Sequence, residues 1–437
     1  MKLLSSTALL LVFSLLGTSF AQATLDTSEQ KRPRKGSVIF IHPDGAGEAH
    51  YTATRNVRVG PDGLLHWDRL NEMGTYRGHQ KGSVSTSSHA GATAHAYGKK
   101  VPVDSYGMHG QEPLTALSGA EVSILMEAHE AGIPVGIVNS GHIAEPGTGV
   151  FVAQSPSRSD TDRIGAQIID SGIPLILSGG EVILLPEGVE GRFGTGIRKD
   201  GRNLIEEAAE AGYTVVYTAD ELAALDPVTT EKVLGVFAAK NTFNDETEEI
   251  LKEAGLPLYN PGTPTLAEMT DFALQFLSAK GKPFFLVAEE EGSDNFANNN
   301  NAPGTIEALG RADDAMGVVT AFIQKNPRTL LVTAADSNAG GPLILPAPSA
   351  DEIIPATYKN GAPLDGRAGT ETLPFLSAPD QFGEQLPFAI AWSEYFDGMG
   401  GVIAKAHGLN APMLPNNVQN TDIYRLMYAT LFGKVLE

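Results

Sequence analysis

Unbroken apolar runs rich in β-branched residues alternate with helical patterns along most of this chain, and that alternation leaves few folds open. Strands are expected at 37–42, 134–138, 174–177, 214–217, 233–237, 283–288, 329–332 and 387–392, and helices at 119–131, 160–170, 203–211, 265–279 and 305–325. A strand that is apolar at every position must be covered on both faces, and strands joined through helices run parallel. The expectation is therefore an α/β protein: a large, mostly parallel sheet with helices on both faces. In such sheets functional groups gather beyond the carboxyl ends of the strands. Asp44, Glu289 and Asp336 each stand just after an apolar run. Residues 340–379 are rich in Pro, Gly and Ala with weak periodicity, and read as an inserted loop or small subdomain near the site.

Composition bounds the setting. Residues 1–23 have the make-up of a cleaved secretory signal: Lys2, the apolar run Ala8 to Leu16, and the small-x-small triplet Ala21-Gln22-Ala23. The apolar run is too short to span a bilayer and no charged stop follows it, so no membrane anchor is expected. The expected location is periplasmic or secreted, and with no cysteine in 437 residues the chain folds there without disulfides. Residues 24–36 are polar and basic and read as a flexible segment. Residues 37–437 then form one large domain. A formal net charge of −21 disfavours nucleic acid or an anionic membrane as partner.

The chemistry is carried by two short segments. Asp44 closes the strand of Val38-Ile39-Phe40-Ile41-His42-Pro43-Asp44, and Ser88 lies in a run of small residues from Thr86 that enters a helix and ends at Gly98. A carboxylate there can hold a divalent cation, which lowers the pKa of a nearby hydroxyl and orients it for phosphoryl transfer.

Further motifs follow in order: Asp44-Gly45-Ala46-Gly47, Thr52 to Asn56, Thr86 to Gly98, Ser155-Pro156-Ser157-Arg158, Leu177 to Gly180, Phe285 to Glu289 with Asp294 five residues on, Thr333 to Asp336, and Thr421-Asp422-Ile423. Together they resemble the alkaline phosphatase family. The resemblance implies hydrolysis of small phosphate monoesters through a phosphoserine at Ser88, with Arg158 gripping the phosphate. It implies metal ligands at Asp44, Glu289, Asp294 and Asp336, with Glu145 near the magnesium-site element, and a homodimer.

The same resemblance expects three histidines at the zinc sites. Asn298, Ser337 and Gln381 stand at the best-matching positions, and nine of the ten histidines lie at or before His142. Ser87 replaces an expected acidic residue. The remaining set, Asp44, Ser88, Glu145, Glu289, Asp294 and Asp336 with Asn298 and Gln381 as carbonyl donors, is all oxygen. Such a set suits magnesium, calcium or manganese, whereas the family expectation is zinc. His89 is a base, a phosphate contact or a substitute ligand, or else packs within its helix; His95 and His42 carry the same choice between site and core. Three functional readings follow: a phosphomonoesterase, a non-catalytic binder of phosphate or metal, and a related hydrolase of phosphodiesters, phosphonates or sulfate esters.

Overall fold

Ten strands line up in the order β17-β2-β16-β8-β1-β7-β3-β4-β6-β5. Their ranges are β1 (Ser37–Pro43), β2 (Glu72–Arg77), β3 (Val135–His142), β4 (Leu175–Gly179), β5 (Thr214–Val216), β6 (Val233–Val236), β7 (Phe285–Glu290), β8 (Thr329–Thr333), β16 (Ile403–Gly408) and β17 (Asn417–Gln419). The seven strands from β8 to β5 are all parallel; β16 then pairs antiparallel with both β8 and β2, and β17 parallel with β2. The computed structural model describes residues 32–103 and 105–437, and within it 33–437 pack as one unit. The expected signal at 1–23 and most of the 24–36 segment lie outside the described residues.

The central strands β1, β4, β7 and β8 are buried at every residue, as their apolar composition requires. The helices Leu266–Ser278 and Ala302–Lys325 pack on each other and on β1, β3, β7 and β8; the helices Ser88–Tyr97 and Asn420–Phe432 form a second packed pair. Each Leu or Val fully buried between such layers stabilises by about 1.5–3 kcal/mol. Local signals set the helix ends. Ala302–Lys325 starts three residues before its apolar periodicity does, because the Asn301 side chain accepts the Gly304 N–H at 2.8 Å and Pro303 suits the first turn. Ser88–Tyr97 stops at Gly98, which is left-handed at φ 68°.

One expected strand belongs elsewhere. The run 387–392 forms β14 (Pro387–Trp392), which leaves the main sheet and pairs antiparallel with β10 (Pro342–Pro346), β11 (Leu364–Gly366) and β13 (Phe375–Leu376). With β12 (Gly369–Thr370) they make a second, small sheet. An apolar run looks the same in either sheet; the partners are supplied by strands of the 340–379 segment. A two-stranded ribbon, β9 (Asn338–Ala339) with β15 (Asp397–Gly398), links the residues after β8 to those after β14.

Candidate active site

The parallel register aligns His42 of β1 with Glu289 of β7, and Glu289 with Asn139 of β3. Side chains in register share a face, so the three form a row across the sheet, and Asp44 continues it two residues beyond His42. The Asn139 side-chain amide donates to Glu289 Oε2. Just beyond the strand ends come Glu145 after β3, Glu291 and Asp294 after β7, and Asp336 and Ser337 after β8. The β3–β4 register slips between Val138 and His142, and His142 Nε2 meets Glu145 Oε1 at 2.8 Å. Ser88 is the first residue of its helix, preceded by an extended Ser87. That helix reaches the strand ends because position 91 is glycine: a Cβ there would lie 2.5 Å from the Cβ of Asp336.

Most of these carboxylates keep at least one buried oxygen without a partner. Asp44 Oδ1 accepts the Gly45 N–H at 2.9 Å and faces His42 Nε2 at 3.2 Å, yet its Oδ2 receives nothing. Glu289 Oε1, Glu291 Oε2, Asp294 Oδ1, the Ser337 hydroxyl and both oxygens of Asp336 are buried without a hydrogen bond. Leaving a buried polar group unmet costs about 1–3 kcal/mol, and more for a charge. Burial, then the neighbouring acids, pushes Glu291, Asp294 and Asp336 well above the usual carboxylate range, and Glu289 up to about 8. Asp44 goes the other way: burial opposes its charge, but His42 outweighs burial and holds it at about 2. Ligand atoms of Asp44, Glu291 and Asp294 lie within 4.8 Å of one another, as do those of His42, Asp44 and Glu289. These orphaned oxygens fit a divalent cation.

Residues 35–351 match the family model for alkaline phosphatase. The chain belongs to the alkaline phosphatase family. Streptomycin-6-phosphate phosphatase of Streptomyces griseus is 29% identical over 72% of this chain and 76% of its own length. Alkaline phosphatase of Escherichia coli K12 is 26% identical over 94% and 88%. Among solved structures, alkaline phosphatase from Thermus thermophilus superposes with a TM-score of 0.71 at 24% identity, covering 96% of both chains. The enzyme from the Antarctic bacterium TAB5 gives 0.69 at 19% identity, covering 92% of this chain and 100% of that one, and a TAB5 variant holds magnesium. The family is metal-dependent, and membership makes this chain an alkaline phosphatase-type phosphoric monoester hydrolase acting on phosphorylated small molecules.

Within this alkaline phosphatase fold, Asp44, Ser88, Glu145, Glu289, Asp294 and Asp336 all converge. Arg158 joins them from outside, 46% exposed and 3.6 Å from Glu145 Oε2. His89 is buried beside Ser88, and Ser337 beside Asp336. Two expected carbonyl donors are corrected. Gln381 lies on an exposed turn past the far end of the helix Glu48–Val59, where its backbone N–H and side chain bond Asp62 at 2.9 and 3.4 Å, so it does not reach the site. Asn298 is in the site but turned: its Oδ1 accepts the Gly340 N–H at 3.2 Å, while its Nδ2 donates to Asp294 Oδ2 at 2.9 Å and Asp397 Oδ1 at 3.1 Å. It orients two carboxylates. His95 packs in the core, its Nε2 2.6 Å from the Tyr76 hydroxyl.

Two side chains were missed, and His42 had been left open between site and core. Asp397, on β15, accepts the Ser88 hydroxyl at 3.5 Å. Glu291 enters the Asp44–Asp294 cluster, and His42 the Asp44–Glu289 cluster. The run Glu289-Glu290-Glu291 signalled that more than one acid could serve; only strand alternation could have separated them. The middle one turns away, accepting from Ser140 at 2.7 Å and Tyr259 at 2.8 Å. Nothing local marked Asp397, more than 300 residues from Ser88.

Proposed function

We propose that this phosphomonoesterase works through a phosphoserine at Ser88, with divalent cations held among Asp44, Glu145, Glu289, Glu291, Asp294, Asp336 and Asp397. The observation that carries this reading is the set of buried, unpartnered carboxylate oxygens gathered beside a hydroxyl at a helix start. Bound cations stabilise charge on the reacting phosphate oxygens and favour ionised serine. The chain's own residues supply the rest. The helix N-terminus at Ser88 presents free N–H groups and a positive field to a phosphate. Arg158 offers its planar fork to two phosphate oxygens, and its salt bridge with Glu145 limits its swing. Asp397 orients the Ser88 hydroxyl and stands ready to take its proton. Asn298 holds Asp397 and Asp294 at a fixed separation. The oxygen-rich donor set favours magnesium, calcium or manganese over zinc. The signal-like N-terminus supports an exported enzyme, testable by the N-terminal sequence of the protein recovered outside the cytoplasm.

The deciding experiment is hydrolysis of a chromogenic phosphate monoester after chelation, with magnesium, calcium, manganese or zinc restored singly, beside Ser88→Ala. Turnover restored by a hard cation and abolished in the variant supports the reading. Folded protein that binds phosphate equally well with or without Ser88 and turns nothing over would establish a binder instead.

A further inference from the structure

A cleft of about 810 Å³ opens at the carboxyl ends of β4 and β6. It shares a wall with the site already described. Thr242, between the lining residues Asn241 and Phe243, donates its N–H and its hydroxyl to the Ser140 carbonyl at 2.9 and 2.7 Å. The Ser140 hydroxyl in turn accepts the Glu291 N–H at 2.9 Å. Asp245 also lines the cleft: its Oδ2 accepts from Asn295, directly after Asp294, at 2.9 Å, and its Oδ1 from Asn299 at 2.7 Å. Each oxygen keeps a further lone pair, so Asp245 is a fixed pair of acceptors. Phe193 contributes an exposed ring. The buried Glu181 carboxylate accepts the N–H groups of Arg192, Phe193 and Gly194 at 2.8, 2.5 and 3.0 Å, which pins the loop carrying that ring. Asn241 Oδ1 is buried with no hydrogen bond.

The position of the cleft gives it a task. In the sheet order β8-β1-β7-β3-β4-β6, Ser88 is tied to the β8 end, where Gly91 of its helix meets Asp336, and the cleft lies at the other end. Arg158, which follows β3 and faces Glu145, stands between them. In-line displacement sets the leaving group opposite the nucleophile, so a phosphate held by Arg158 turns its alcohol toward the cleft. An aromatic face covers the C–H face of a saturated ring, a doubly held carboxylate takes two neighbouring hydroxyls, and a further hydroxyl meets Asn241. An alkyl group would leave those polar atoms unmet. We propose that this cleft is the leaving-group subsite and takes a polyhydroxylated ring, that of a sugar or cyclitol phosphate, with Asp245 and Phe193 setting the preference. The proposal deepens the proposed function and rests on it for the phosphate at Arg158.

The test compares ring and alkyl esters. Wild type, Phe193→Ser and Asp245→Asn, each loaded with the cation that best restores turnover, are assayed on hexose 6-phosphates, an inositol phosphate and ethyl phosphate. The quantity read is kcat/KM for the best ring ester divided by that for ethyl phosphate; intrinsic reactivity cancels when a variant is set against the wild type. The expected ratio exceeds about tenfold in the wild type and falls about tenfold in each variant. A ratio near one in the wild type overturns the proposal, as does an unchanged ratio in either folded variant. Phe193 is exposed, so Phe193→Ser decides the matter should Asp245→Asn fail to fold. Calorimetric binding of the same esters to Ser88→Ala separates this proposal from the phosphatase reading. Ring esters bound more tightly than ethyl phosphate, with the difference lost on adding Phe193→Ser, uphold the subsite even where nothing is turned over, and equal binding overturns it. Turnover of all esters without preference would remove the subsite and leave the phosphatase reading standing.

Discussion

Asp397 touches the Ser88 hydroxyl and, through Asn298, the Asp294 carboxylate, so under the proposed mechanism a single charge there serves two tasks. Asp397→Asn keeps the shape and removes the charge, and kcat is expected to fall by about 10²–10⁴-fold, the range for loss of a positioned proton acceptor. Asp397→His tests the other task. An imidazole beside Asp294 makes the donor set softer, and the metal add-back profile should shift toward zinc. An unchanged metal preference would separate Asp397 from the metal and leave it a partner of Ser88 alone. Single residues also show where sequence reading stops. Asp44, Ser88 and Asp336 were legible because each sits in a local pattern, a strand end or a small-residue turn. Asp397 was not, because the β9–β15 ribbon brings it in from a distant stretch. Gln381 misled because a match to a motif position says nothing of which way a turn leads.

Among the elements, the helix Ser88–Tyr97 and the end of β8 show how close packing sets the chemistry. Gly91 lets them meet, and Gly91→Ala would drive a methyl into the Asp336 side chain at 2.5 Å. The expected cost is about 1–3 kcal/mol of stability, with kcat reduced because Ser88 rides on the displaced helix. Thermal unfolding and steady-state kinetics on the same variant check both. The small sheet offers a second case. Asp365 of β11 and Glu248 of the helix Glu248–Ala254 are both buried, and Asp365 accepts the Trp392 indole N–H at 2.6 Å. Burial chiefly, with Asp365 adding its charge, pushes Glu248 up to about 9; burial with Glu249 pushes Asp365 to about 7. Both lie above their ordinary values of 4.5 and 3.8, so the folded state holds protons that the unfolded chain releases. The stability they contribute is fully present below about pH 4 and is lost as pH rises through 7 and then 9. The melting temperature should fall over that window in the wild type and fall less in Glu248→Gln with Asp365→Asn. The parallel strands were readable as apolar runs between helices. The partners of β14 were not, since pairing depends on which neighbour the fold supplies, and the amphipathic β2, which alternates buried and exposed residues, carried too weak a signal.

For the whole molecule, the four central strands β8, β1, β7 and β3 bring their acids to one end of the sheet, and metal removal should be felt globally. Unmet charges at that end oppose the hydrophobic packing beneath them. Chelation is expected to lower the melting temperature, and each cation restored at a hundred times its Kd should return about 2.7 kcal/mol. A melting temperature indifferent to chelator would mean that the acids are neutralised by protons alone. The architecture itself was legible from alternation of strand and helix, whereas the depth of the charged end was visible only once register placed His42, Glu289 and Asn139 in one row.

That row has a consequence for the life of the protein. Its acids cap neighbouring strands at the middle of the sheet. Unmet charge there lowers the stability of the whole fold, and unfolded chain is what proteases cut. With cations bound as proposed, the enzyme's persistence follows the mineral content of its surroundings: where divalent ions are scarce it would be cleared, and where they are plentiful it would endure.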